Sequence, residues 1–275
     1  MELNTMKYGC CVNILPKSGP KTGIEYVQKL KDIGYDYVEL PLNELSKLSN
    51  AEFDSFLLAL QGIGFPCLCC NDFMPSSFRI VGEKLTSTKE LQNYLELAMA
   101  RLKRLGAAYS VFGSPWSRNC PDGFSKQEAF QQIADFLHMA GEVAAANDIV
   151  IAVEHNNHEE TNMLNHFSDA VHMVKTVSHP NVKVLCDYYH LRFEQDTPSV
   201  LSEGKGILVH THIAQLENRK YLTDLSHEPM LTEYAAALHQ LGYQGGISIE
   251  GRVDSPEIWE TEARLCLSNL KAVFE

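Results

Sequence analysis

The chain has 275 residues, 23 Lys+Arg against 35 Asp+Glu, a formal net charge of −12, and 45% hydrophobic residues. This is the composition of a folded globular protein, and an acidic excess without any Lys/Arg run opposes a nucleic-acid partner, whose affinity rests on cationic contacts to phosphate. No stretch approaches the roughly 18 apolar residues of a membrane span and no charged-then-apolar leader opens the chain, so no membrane association is expected and the cytoplasm is the expected location.

Eight short apolar runs, rich in β-branched, aromatic or thiol side chains, read as strands: residues 8–12, 37–40, 66–71, 109–112, 149–154, 182–187, 208–213 and 247–250. Most are continuous rather than alternating, as expected of parallel strands covered on both faces. Between them lie helical patterns with apolar spacings of three and four, as in Phe53, Phe56, Leu57, Leu60 and in Leu91, Leu95, Ala98, Leu102. Four of these helices close on Leu-x-x-Ile/Leu-Gly, at Gly34, Gly64, Gly106 and Gly242. Each glycine stands where a helix C-cap needs a residue comfortable at positive φ, with a strand starting within a few residues. Ser125 to Glu128 forms a capping-box pattern for another helix, and Thr197-Pro198 opens one more.

Eight strands alternating with helices over this length predict an α/β fold, a single (β/α)8 barrel occupying residues 1–275 as one domain. No GxGxxG or GxxxxGK loop follows the first strand, which counts against an open nucleotide-binding sheet. Eight cysteines are too dilute for a disulfide scaffold, and Cys67-Leu68-Cys69-Cys70 reads as buried, reduced strand thiols rather than a zinc or redox site.

In such a barrel the carboxyl ends of the strands point into a common mouth. Five strands finish in a charged or ligating residue: near Glu39, at Glu154, at Asp187, at His210 and His212, and at Glu250. Glu154, Asp187 and Glu250 each close an apolar run, so three carboxylates would crowd one partly desolvated mouth, which is tolerable only if a cation or protons relieve it. With His212 they make a three-oxygen, one-nitrogen set suited to one divalent ion, Mn²⁺, Mg²⁺ or Co²⁺.

These residues bring a family into view. The stretch from Glu154 through Glu160-Thr161-Asn162-Met163-Leu164-Asn165, together with Asp187-Tyr188-Tyr189-His190, His210-Thr211-His212 and Asn218-Arg219, resembles the xylose-isomerase-like TIM-barrel superfamily of sugar isomerases and epimerases. The likeness is to its ketose 3-epimerase branch, typified by D-tagatose and D-psicose 3-epimerases. It implies that Glu154, Asp187, His212 and Glu250 bind the divalent metal. Glu154 and Glu250 would then act as opposed catalytic acid/base groups beside a substrate carbonyl, through an enediolate. It further implies that His190 and Arg219 contact substrate oxygens and that Glu160 orients His190 or a neighbouring ligand. Trp116, in the loop after the fourth strand, and His155, directly after a ligand, are expected to line the substrate cavity. Asn157 stands where the family often has Arg, which favours an unphosphorylated sugar or sugar derivative as the small-molecule partner. A homo-oligomer, dimer or tetramer, is the expected assembly. The alternative is a metal-dependent lyase or dehydratase, or the catalytic subunit of a C-glycoside-deglycosylating enzyme, with His155 as an added base and a second subunit as partner.

Overall fold

The computed structural model describes residues 6–16, 21–253 and 255–275. Eight strands form: β1 (Lys7–Cys11), β2 (Tyr37–Pro41), β3 (Cys67–Asn71), β4 (Tyr109–Phe112), β5 (Val150–Glu154), β6 (Val182–Asp187), β7 (Leu208–Ile213) and β8 (Gly246–Ile249). Every neighbouring pair is parallel and β1 also pairs with β8, so the sheet closes on itself in chain order. The helices are α1 (Ile24–Ile33), α2 (Leu42–Lys47), α3 (Asn50–Ile63), α4 (Thr88–Leu105), α5 (Pro115–Arg118), α6 (Lys126–Ala145), α7 (Phe167–Val177), α8 (Tyr188–Phe193), α9 (Leu231–Leu241) and α10 (Trp259–Phe274). The architecture is the expected (β/α)8 barrel.

Burial explains the strand composition. The outward faces of the strands pack under the helices in one continuous core that includes Val38, Leu40, Phe112, Ile151, Val153, Val184, Ile247 and Ile249. Cys69, Val111, Ala152 and Leu185 form a separate cluster inside the barrel. Strand side chains alternate with period two, so the residue two positions beyond an interior one points to the same side, nearer the mouth. Asn71, Gly113, Glu154 and Asp187 stand two residues past those four interior positions.

All four glycine C-caps are left-handed, with φ of 106° at Gly34, 64° at Gly64, 76° at Gly106 and 67° at Gly242. Ser125 accepts a hydrogen bond from the Glu128 amide at 3.3 Å and starts α6. The segment opened by Thr197-Pro198 differs from expectation: it is a 3-10 helix, Pro198–Gly204, rather than an α-helix. All eight cysteines are free and buried, and the thiols of Cys67 and Cys70 lie 3.8 Å apart. Among the described residues, no helix is long and apolar enough to cross a membrane.

A substitution at one cap tests the αβ junction. Nothing approaches within 4 Å of a Cβ placed on Gly106, so Gly106→Ala isolates the backbone conformation from packing. A left-handed L-residue costs about 1–2 kcal/mol. The urea midpoint of Gly106→Ala should fall accordingly and Gly106→Asn should lose less; an unchanged midpoint for the alanine variant would contradict the assignment.

Candidate active site

The strand ends deliver their polar residues to one place. Ligand atoms of Glu154, Asp187, His212 and Glu250, all four residues buried, lie within 4.8 Å of one another. His212 Nδ1 is 3.1 Å from Glu154 Oε1 and 3.2 Å from Glu250 Oε2. Each donor is set by its local structure. Asp187 ends β6 and caps α8, its Oδ1 accepting from the Tyr189 amide at 2.7 Å, which leaves Oδ2 for the mouth. The same short helix brings His190 round, its Nε2 3.6 Å from Asp187 Oδ2. Glu154 has room because position 113 is glycine: a Cβ there would stand 2.3 Å from Glu154 Oε2. Glu250 follows β8, and its Oε1 accepts from Asn71 Nδ2 at 2.8 Å and from Asn13 Nδ2 at 3.0 Å.

Arg219 spans the carboxylates, its guanidinium 2.7 Å from Glu250 Oε2, 3.1 Å from Glu160 Oε1 and 3.3 Å from Asp187 Oδ2, and 4.9 Å from the centre of the Tyr189 ring. Asn218 and Arg219 both have left-handed backbones, φ 57° and 51°. Consecutive non-glycine residues in that region carry strain that the surroundings must hold; here the Arg252 amide donates to the Arg219 carbonyl at 2.6 Å, tying the loop after β7 to the segment after β8.

The charges respond to this crowding. Burial, then Arg219 and His212 working against it, leaves Glu250 at about 2, an ionised carboxylate. Burial raises Asp187 to about 7 despite Arg219, with Glu154 adding to the rise. His212 overcomes its burial mainly through Glu39 and is held well above the usual imidazole range. His190 is pushed well below that range by burial and then by Arg219, so its ring is neutral, and it accepts from the Asn157 amide at Nδ1.

A cavity of about 380 Å³ opens over these groups, lined among others by Asn71, Trp116, Glu154, Glu160, Arg219 and Glu250. Its size suits a small ligand. Trp116 stands at the rim with 61% of its surface exposed. A hollow of about 460 Å³ between Arg79 and Phe124 gathers no comparable donor set among the described residues. His155 does not line the mouth. It follows inward-facing Glu154 on the strand path, so the alternation turns it outward, where it is fully buried against the rings of Phe167 and His190. Burial, then the positive Arg118, lowers it to about 3.

Sequence reasoning missed four contributors. Asn13 and Asn71 hold Glu250 as described. Arg118 is fully buried and donates to the Glu154 carbonyl at 2.9 Å and to Asn156 Oδ1. Asn156 Nδ2 lies 3.0 Å from His190 Nε2. The signal for Asn71 was present, a polar residue closing an apolar strand. The asparagines of the Glu-Thr-Asn-x-Leu-Asn stretch serve the loop: Asn162 pairs with both the amide and the carbonyl of Cys120, and Asn165 Nδ2 donates to the Asn156 and Thr161 carbonyls.

Three carboxylates and an imidazole at the C-terminal mouth of a (β/α)8 barrel make a donor set that could hold a cation beside a small ligand. The chain belongs to the xylose isomerase-like TIM barrel family, whose model matches residues 27–270. It is 24% identical over 243 residues to a 3-dehydro-D-guloside 4-epimerase of Escherichia coli (strain K12), covering 85% of this chain and 88% of that protein. It is 23% identical over 232 residues to a D-psicose 3-epimerase of Ruminiclostridium cellulolyticum, covering 82% of this chain and 76% of that protein. The solved structure of a D-psicose 3-epimerase with D-tagatose, from Clostridium cellulolyticum H10, superposes with a TM-score of 0.86 at 19% identity, over 98% of this chain and 100% of that one.

The donor set fits a divalent cation. Three carboxylate oxygens converge there with His212, which offers one nitrogen to them while the other faces Glu39. In the protein without metal, His212 is protonated and Asp187 sits at about 7; a cation must displace those protons, because it binds deprotonated ligands. Mn²⁺ affinity should therefore rise from pH 6 to pH 8, and calorimetry in buffers of different ionisation enthalpy should show proton release at pH 6. Uptake that is independent of pH and buffer would contradict the assignment.

Proposed function

We propose that the protein is a divalent-cation-dependent epimerase of an unphosphorylated sugar or sugar derivative, working by proton transfer at a carbon next to a carbonyl. The observation that carries the reading is the pair of glutamates, Glu154 at the end of β5 and Glu250 after β8, that approach one imidazole nitrogen from strands three apart in the barrel. A substrate held between them presents a different face to each. One glutamate takes the proton onto its carboxylate, leaving an enediolate, and the other, carrying a proton of its own, donates that proton to the same carbon from the opposite face. When bound at Glu154, Asp187, His212 and Glu250, a cation supplies Lewis-acid stabilisation of the negative charge that develops on substrate oxygens. Arg219 and neutral His190 hold those oxygens in place, and Glu160 keeps Arg219 over the mouth. The names of the curated relatives, epimerases of ketoses and of a dehydro-guloside, support the reaction class.

Cavity charge supports an unphosphorylated substrate. The two Lys/Arg side chains among the lining residues are already paired, Lys47 with Glu44 at 2.7 Å and Arg219 with three carboxylates. Among the described residues, a phosphate dianion would meet the remaining acidic groups without a free arginine or lysine to receive it. The lyase alternative used His155 as an added base, and a ring buried outside the barrel wall cannot reach a substrate in the mouth.

Glu154→Gln and Glu250→Gln should each lower kcat by about 10²–10⁴-fold, and turnover by the parent protein in D₂O should place deuterium at the epimerised carbon, read by NMR. Normal turnover by either variant, or product free of deuterium, would contradict the two-base mechanism. In a panel of ketohexoses, their phosphates and oxidised glycosides, kcat/KM should favour the unphosphorylated compounds. A preference of more than about tenfold for a phosphate, about 1.4 kcal/mol, would overturn the substrate class.

A further inference from the structure

Beneath the four converging donors lies a second polar layer that the proposed reaction does not use. Glu39, the inward residue of β2, is fully buried. Its Oε1 lies 3.0 Å from His212 Nε2, while its Oε2 lies 2.9 Å from His210 Nε2 and 2.8 Å from Ser248 Oγ. Ser248 Oγ in turn lies 2.9 Å from the Tyr37 hydroxyl. An ionised carboxylate in a closed barrel is tolerated only with such partners. The effect of this packing is directional: His210 and Ser248 occupy one oxygen, and the other is aimed at His212.

That aim decides which nitrogen of His212 faces the mouth as a lone pair. A neutral imidazole carries one N–H. With the proton on Nε2, the ring donates to Glu39 and leaves Nδ1 as the ligand atom beside Glu154 and Glu250. With the proton on Nδ1, an N–H would point at the cation and a lone pair at a carboxylate, which is unfavourable at both ends. We propose that Glu39, held by His210 and Ser248, is the positioning residue that fixes the Nε2–H tautomer and the orientation of His212 for cation binding. This rests on the reading of Glu154, Asp187, His212 and Glu250 as a divalent-cation site. The same layer does not read as a second cation site, although ligand atoms of Glu39, Cys69 and His210 lie within 4.8 Å of one another. Both Glu39 oxygens are already engaged, and the Cys69 thiol is kept protonated by burial and then by Glu39.

The test is Mn²⁺ titration of the metal-stripped parent protein and of Glu39→Gln by calorimetry, with ¹⁵N NMR of the histidine rings in the Mg²⁺-loaded proteins. The parent should bind one Mn²⁺ per chain and show His212 protonated at Nε2. Glu39→Gln should weaken Mn²⁺ binding by about 10- to 100-fold and lose the single Nε2–H signature, changes that a merely structural role for Glu39 would not produce in a folded protein. Should that variant fail to fold, Ser248→Ala, which removes one of the two partners of Glu39 Oε2 and leaves the His212 side chain in place, should weaken Mn²⁺ several-fold; affinity equal to that of the parent would overturn the inference. Glu39→Gln with unchanged affinity and an unchanged tautomer would overturn it while leaving the cation site standing. Two Mn²⁺ per chain, one lost in Glu39→Gln, would overturn it by making Glu39 a ligand. A parent protein that binds no Mn²⁺ would overturn the proposed function itself, and this inference with it.

Discussion

Like charge held in a small, nearly dry space is the constraint on which the rest of this structure depends. Glu154, Asp187 and Glu250 are buried together at the barrel mouth, and each would protonate or repel its neighbours without compensation. The protein answers with permanent charge on one side, Arg219, and an imidazole on the other, His212. Between them these partners hold Glu250 ionised while Asp187 rises to about 7. On the proposed reading, Asp187 and His212 give up their protons when a cation binds.

The backbone supplies the precision. Barrel closure places the ends of β5, β6, β7 and β8 side by side. Cys69, Val111, Ala152 and Leu185 share the interior with Glu39, His210 and Ser248, the register pairing Cys69 with Glu39 and Leu185 with His210, and the converging donors lie above. Glu39, His210 and Ser248 are fully buried, so the orientation of His212 is determined from below as much as from the mouth. The loops add what strands cannot reach: α5 buries Arg118 against the end of β5, and the left-handed pair Asn218 and Arg219 swings a cation over the carboxylates.

Much of this was legible in the sequence because the signals were local. Four Leu-x-x-Ile/Leu-Gly caps and eight apolar runs are each set by short-range chemistry, and they led to the barrel; the donor set followed from charged residues closing apolar strands. What was not legible depended on side-chain direction or on distant partners. His155 was placed in the mouth by its adjacency to Glu154, although strand alternation turns neighbours to opposite faces. Asn71 closes β3 just as Glu154 closes β5, but an uncharged amide draws less notice than a carboxylate. The burial of Arg118 and the pairing of Glu39 with two histidines of β7 arise from contacts across 36 or more residues of sequence, and spacing does not record them. Pro198–Gly204 kept a helical start signal, which does not distinguish a 3-10 helix from an α-helix.

The central claim is that these four side chains enclose one cation. Anomalous diffraction at the manganese edge, from crystals grown with Mn²⁺, measures it directly. The account predicts a single strong peak per chain, in contact with carboxylate oxygens of Glu154, Asp187 and Glu250 and with Nδ1 of His212. A peak elsewhere with none at these residues, or contact through Nε2 of His212, would contradict it.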